Sequence, residues 1–193
     1  MIPSDPDWEL MAQLAKGDDQ ALSVLMERWK ERIFSFLFRL TGDEISAADL
    51  AQETFVRVYE ARCKVRPQGR FSTWLFTIAT NLSRNLARWR RRHPTVSLEN
   101  PGERERLSPL EECVGEESPP GALLEKQELC EQVRTAVLSL PEPLKETLIL
   151  FTYEELSYEE IAQLFGCSRK VVEMRLFRAR KSLRKMLTRK RLL

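Results

Sequence analysis

The sequence predicts an all-α chain built as two small helical domains joined by a flexible acidic linker. Three observations carry that expectation. Apolar residues recur at three- and four-residue steps through most of the 193 residues, and strand-like alternation is missing. Glycine and proline are scarce outside one segment. That segment, residues 94–121, holds five of the ten prolines and no aromatic residue, so it cannot bury enough apolar area to offset its ordering entropy.

The elements follow in order. From Ala21 to Leu40, the residues Leu22, Leu25, Trp29, Ile33, Phe36, Leu37 and Leu40 form one stripe, the pattern of an amphipathic helix. "TGDE" breaks it. A second helix is expected from about Ile45 to Arg62, with Leu50, Phe55 and Val58 inward and Asp49, Gln52, Glu53 and Arg57 outward. "CKVRPQGR" then forms a loop, enforced by Pro67 and Gly69.

The next stretch, "RFSTWLFTIATNLSRNLARWRRR", covers residues 70–92 with five arginines from Arg84 to Arg92 and no acid. On a helical wheel Leu75, Ile78, Ala79, Leu82, Leu86 and Trp89 fall on one side, expected to pack on the preceding helices. Thr73, Thr77, Thr80, Arg84, Arg88 and Arg91 fall on the other. Hydroxyls and arginines without a carboxylate suit nucleic acid better than a generic solvated surface. A membrane-surface helix has a similar moment, but here the apolar side is needed for the bundle.

Residues 141–187 carry their own punctuation. Ser157 followed by Glu160 is a capping box opening a short helix through Leu164. Gly166 suits the left-handed turn that ends it, and Ser168 caps a third, long helix. Ala162, Gly166 and Val172 stand at helix-turn-helix spacing. From Arg169 to Arg191 there are 11 lysines and arginines against one acid, Glu173. A second helix entering the major groove explains both the spacing and the charge. Arg169, Lys170, Glu173 and Met174 then lie nearest base edges, and Arg175, Arg178, Arg180 and Lys181 nearest phosphates.

Charge is segregated: 15 basic against 12 acidic residues in 1–93, 2 against 7 in 94–121, and 14 against 10 in 122–193. Two mildly basic blocks flank an acidic one, which bears on partners more than the net +2 does. Cys63, Cys113, Cys130 and Cys167 form no CxxC pair and His93 is the lone histidine, so neither a zinc site nor a cofactor is expected. No apolar run reaches the roughly 18 residues of a membrane span, and the N-terminus lacks the order of a secretory signal. A cytoplasmic protein without membrane insertion is expected. One histidine, scattered carboxylates and no glycine-rich phosphate loop leave no catalytic constellation.

The series "AADLAQETFVRVYEA" (Ala47–Ala61), "FSTWLFTIATNLSRNLARWRRR" (Phe71–Arg92) and "LPEPLKETLILFTYEELSYEEIAQLFGCSRKVVEMRLFRARKSLRKML" resembles the extracytoplasmic-function sigma factors, initiation subunits of bacterial RNA polymerase. The resemblance covers about residues 8–187, in order. It implies a first domain over 1–93, in which Asp49, Gln52, Glu53 and Arg57 grip the clamp helices of the largest polymerase subunit. It also implies that the −10 promoter element is read as a single strand, with a base extruded into a pocket. The residues carried over for that task are Arg62, Lys64, Arg66, Arg70 and Phe71 at the loop and helix start. Asn81 is the pocket asparagine, and Arg84, Arg88 and Arg91 take backbone phosphates. Trp74 could stack on a base, but its position beside Leu75 and Ile78 favours the core.

The resemblance further implies a second domain over 122–193 that reads the −35 element as duplex through Ser168, Arg169, Lys170, Glu173, Met174, Arg175, Arg178, Arg180 and Lys181, and that meets the flap of the second-largest subunit. Where the family commonly runs glycine, threonine, valine and a basic residue, this chain has Lys170, Val171, Val172 and Glu173. An acid there weakens phosphate attraction and could accept from a cytosine amino group. The linker, about 90 Å when extended at roughly 3.3 Å per residue, spans two elements about 70 Å apart. Core polymerase, promoter DNA and, as is common in the family, an anti-sigma factor are the implied partners of a chain that is monomeric when free. The alternative is a free-standing dimeric helix-turn-helix regulator, which would bind inverted repeats without polymerase.

Overall fold

The computed structural model describes the backbone of residues 5–93 and 120–189. Eight helices are formed there, with no strand among the described residues: α1 (Pro6–Ala15), α2 (Gln20–Thr41), α3 (Glu44–Ala61), α4 (Phe71–Arg92), α5 (Pro120–Leu138), α6 (Glu142–Thr152), α7 (Tyr158–Phe165) and α8 (Arg169–Arg189). The acidic linker lies outside the described residues, save that α5 begins at Pro120.

The first four helices build a bundle on the stripe read from α2. Leu25, Trp29, Ile33, Phe36, Leu37 and Leu40 are all buried, while Leu22 is partly buried against the core. Helix α1, which periodicity covers without singling out, adds Trp8, Met11 and Leu14. It starts at a cap, Asp5, whose carboxylate accepts from the Asp7 N–H, and Pro6 follows at a position where a missing N–H costs nothing. On α3, Phe55 and Val58 are buried as the spacing requires; Asp43 caps this helix by accepting from the Ser46 N–H.

Helices α6, α7 and α8 pack around Leu148, Ile149, Leu150, Ile161, Val172, Leu176 and Ala179, in one buried cluster with the first bundle. The punctuation is as the sequence has it. Ser157 accepts from the Glu160 N–H while Glu160 accepts from the Ser157 N–H. Gly166 takes φ 59°, a conformation costly for a residue with a Cβ, and Ala162 and Val172 are buried at the helix crossing. Burial pushes the Glu160 carboxyl up, but hydrogen bonds from Ser157 and Arg70 outweigh it and hold the group below the usual glutamate range. A lowered folded pKa stabilises above the unfolded value and is lost as pH falls through the folded one. Ser157→Ala should therefore cost about 1 kcal/mol at neutral pH and less near pH 3, as thermal melts at the two pH values would report.

The two units pack on each other, α7 against α4 and α6 against α2. Gly69, at φ +73°, sits where a Cβ would come within 3.2 Å of the Gln163 side chain.

Candidate nucleic-acid interface

Helix α4 is the first candidate surface. Its first turn is anchored from afar: the Phe71 N–H donates to Asp5 Oδ2 at 2.8 Å, and Trp8 Nε1 donates to the Gly69 carbonyl at 3.0 Å. Phe71 was expected among the residues that touch DNA. It lies in the core instead, 1% exposed, edge-on to Trp8 at 5.3 Å and beside Trp74 at 5.5 Å. The reason is that α1 folds back over the start of α4 and needs a large ring beneath it. Trp74 packs against the same core, in line with its expected place.

The loop residues Lys64 and Arg66 are exposed. Arg62 is held on α3, its guanidinium 3.8 Å from the Tyr59 ring centroid and Nη1 donating to the Tyr59 carbonyl at 2.8 Å. Asn81 and Arg88 are exposed, and Arg88 donates to Asn85 Oδ1 at 2.6 Å. Helical spacing sets Arg84, Arg88 and Arg91 on one stripe with Asn81 at its edge.

That stripe is not open along its whole length, as its polarity had implied. Thr73 and Thr80 are buried, and their hydroxyls lack hydrogen-bond partners. Arg84 forms a two-pronged pair with Glu146 of α6, Nε to Oε1 at 2.7 Å and Nη2 to Oε2 at 2.6 Å. Its guanidinium also lies 4.9 Å from the Phe165 ring. The bond from Glu146 raises the Arg84 pKa, against the lowering caused by burial. Arg91 approaches Glu142 at 3.7 Å, and Arg70 approaches Glu160 at 3.3 Å. The acids paired with Arg70, Arg84 and Arg91 come from the second domain.

Trp89 departs from its assignment as well. It was placed on the core-facing stripe, yet it is 49% exposed and stacks on His93 with ring centroids 5.0 Å apart. The bundle ends before this last turn, so nothing remains for the ring to pack on. Arg90 instead ties the turn to the α3 cap, with Nη2 3.3 Å from Asp43 Oδ2 and a further bond to Ser46.

Helix α8 is the second surface. Ser168, Arg169, Lys170, Glu173, Met174, Arg178 and Lys181 are exposed. Arg169 donates to Glu159 at 2.7 Å and to Glu173 at 3.1 Å, so the Glu173 carboxylate has a partner inside the protein. One member of the expected phosphate set differs. Arg175 is partly buried, its guanidinium 5.3 Å from the Phe165 ring and one terminal nitrogen buried without a hydrogen-bond partner. Arg180 is exposed, with its guanidinium 5.4 Å from the Phe151 ring. A third surface is the outer face of α3, where Asp49, Gln52 and Arg57 are exposed and Arg57 bridges Glu53 at 2.7 Å and Glu60 at 2.9 Å.

The geometry has counterparts. The model of Sigma-70 region 2 matches residues 25–93 and that of Sigma-70 region 4 matches residues 130–183, so one surface falls in each. The chain is 33% identical to the RNA polymerase sigma-H factor of Pseudomonas aeruginosa over 97% of its length and 96% of the relative's. It is also 31% identical to the ECF RNA polymerase sigma factor SigW of Bacillus subtilis, over 91% of this chain and 93% of that one. The chain belongs to the extracytoplasmic-function sigma factors. Among solved structures, CnrH in complex with the cytosolic domain of CnrY matches it with a TM-score of 0.65 and 27% identity, over 95% of this chain and 98% of that one. The sigma factor RpoE of Bartonella quintana in complex with the anti-sigma factor NepR shares the fold at a TM-score of 0.65. Sequence reading missed Glu142, Glu146, Glu154 and Glu160 as partners of the sigma factor's arginines; their only sequence signal is the acid-rich run from Glu142 to Glu160 opposite an acid-free helix. Among the described residues no helix is long and apolar enough to cross a membrane, and no group of His, Cys, Asp and Glu could hold a metal.

Proposed function

We propose that this sigma factor lends core polymerase selective initiation by reading two promoter elements in two physical states. Residues 122–193 read the −35 element as duplex through the first turns of α8. Residues 1–93 bind core and hold the melted −10 strand along α4 and the loop before it. The observation that carries this reading is the pair of separate cationic helical surfaces, with five arginines late in α4 and nine basic residues on α8 from Arg169 to Arg189.

The division of labour follows from chemistry. Extruding a base costs a few kcal/mol, offset by stacking and edge contacts in a pocket; Asn81 has the exposure for such a contact. Phosphate contacts on α8 set register, and Lys170, Glu173 and Met174 stand closest to base edges. The factor itself makes and breaks no bond; the metal ions of nucleotide addition belong to core. It works in the cytoplasm, and an anti-sigma factor, as bound to the Bartonella RpoE, is a fitting regulator.

Core binding falls to the outer face of α3. Replacing Asp49 and Gln52 with alanine together should weaken retention of the factor on immobilised core polymerase by about tenfold or more, since truncating central interface residues costs over 1 kcal/mol apiece. Circular dichroism should be unchanged because both side chains are exposed. Undiminished retention would contradict the clamp assignment.

A further inference from the structure

Every arginine of the strand-reading stripe that meets the second domain meets a glutamate there: Arg84 with Glu146, Arg91 with Glu142, and Arg70 with Glu160. We propose that the acidic face of α6 and α7 is a built-in competitor for the melted strand, withdrawing Arg84 and engaging Arg70 and Arg91 in the free chain while leaving the −35 surface open. This rests on the reading of α4 as the strand reader.

The strongest support is Arg84. A guanidinium gripping a carboxylate through two parallel bonds uses the same fork that grips a phosphate, so the pair and a DNA strand exclude each other. The Glu146 side chain is 4% exposed, which makes the contact a buried one rather than a loose surface pair. Flanking contacts fix the same orientation. Arg32 donates to Glu154 Oε2 at 2.7 Å and to the Glu154 carbonyl at 2.8 Å. Lys145 Nζ donates to the Leu40 carbonyl at 2.8 Å, and Arg134 to the Gly42 carbonyl at 3.0 Å.

Closure is also incomplete, as a reversible device requires. Asn81 and Arg88 stay exposed beside the engaged Arg84. Meanwhile Lys170, Met174, Arg178 and Lys181 remain exposed in the same arrangement. The closed chain can therefore meet duplex before it can meet unpaired bases. An affinity for single strands is divided by the fraction of chains that are open, and a latch of ion pairs loosens with salt.

The test uses the full chain with its cysteines replaced by serine and dyes at K16C and K185C, on exposed surfaces of the two domains. Wild type should show high energy transfer and weak binding of a fluorescein-labelled, random-sequence single-stranded 20-mer. E146Q with E142Q should lower the transfer and tighten that binding about tenfold, with binding of a double-stranded 20-mer changed less than twofold. The charge exchange R84E with E146R should restore high transfer. Unchanged transfer in E146Q with E142Q, or opening without tighter single-strand binding, would overturn the latch. A chain that opens and tightens as expected, yet gives no selective initiation with core polymerase, would support the latch and sink the promoter reading instead.

Discussion

Replacing Arg84 and Arg88 by glutamate should abolish strand opening at the −10 element while leaving core binding in place. Both cations lie on one stripe of α4, with Asn81 at its edge. Reversing them exchanges two attractive phosphate contacts for two repulsive ones. Each phosphate contact contributes its own counterion release, so a loss of about two orders of magnitude in open complexes is expected. The α3 face proposed to meet the clamp carries neither residue, and retention on core polymerase should stay within about twofold. Permanganate reactivity of unpaired thymines at −10 reads the outcome. Normal reactivity with the double variant would contradict the assignment of α4.

Phe71→Ala should destabilise the first domain by about 3–5 kcal/mol. The ring is buried between Trp8, Trp74 and Trp29, with centroids 5.3, 5.5 and 6.1 Å away. Truncation would leave a cavity walled by rings that cannot shift inward without losing Trp8's bond to Gly69 and Trp29's bond to Asp7. Since whole domains are stable by only about 5–15 kcal/mol, the variant should unfold well below wild type on heating. Promoter activity would vanish with it, through loss of the scaffold. Arg66→Ala, on the exposed loop, should leave the melting temperature unchanged. If Phe71→Ala melted like wild type and only DNA binding suffered, the ring would be a contact after all.

How much of this was legible beforehand depended on whether the cause was local. The α2 stripe, the Ser157–Glu160 box, Gly166 and the Ala162–Val172 crossing are set by residues a few positions apart, and each stands where spacing puts it. Trp89 misled because a wheel assigns a side but not where the bundle stops. Phe71 misled because its cover is α1, more than fifty residues upstream, which no local pattern connects to it. Thr73 and Thr80 fall on the polar side of the wheel yet are buried, because a wheel does not show what packs against that side. The arginine–glutamate pairs between domains involve residues about 50 to 120 apart, so only the excess of arginine on one helix and of acid on others hinted at them. Glu173 was read as an acceptor for cytosine, yet its i−4 neighbour Arg169 already occupies it. The spacing for that pair was present, and it competes with the base contact.

The most direct test of two DNA surfaces serving one polymerase is transcription in vitro from genomic DNA, with core alone and with core plus the purified factor, followed by mapping of RNA 5′ ends. The account predicts a discrete set of new starts, each preceded by two shared sequence blocks about two duplex turns apart, and loss of those starts with the Arg84 and Arg88 reversals. Identical 5′ ends with and without the factor would contradict it.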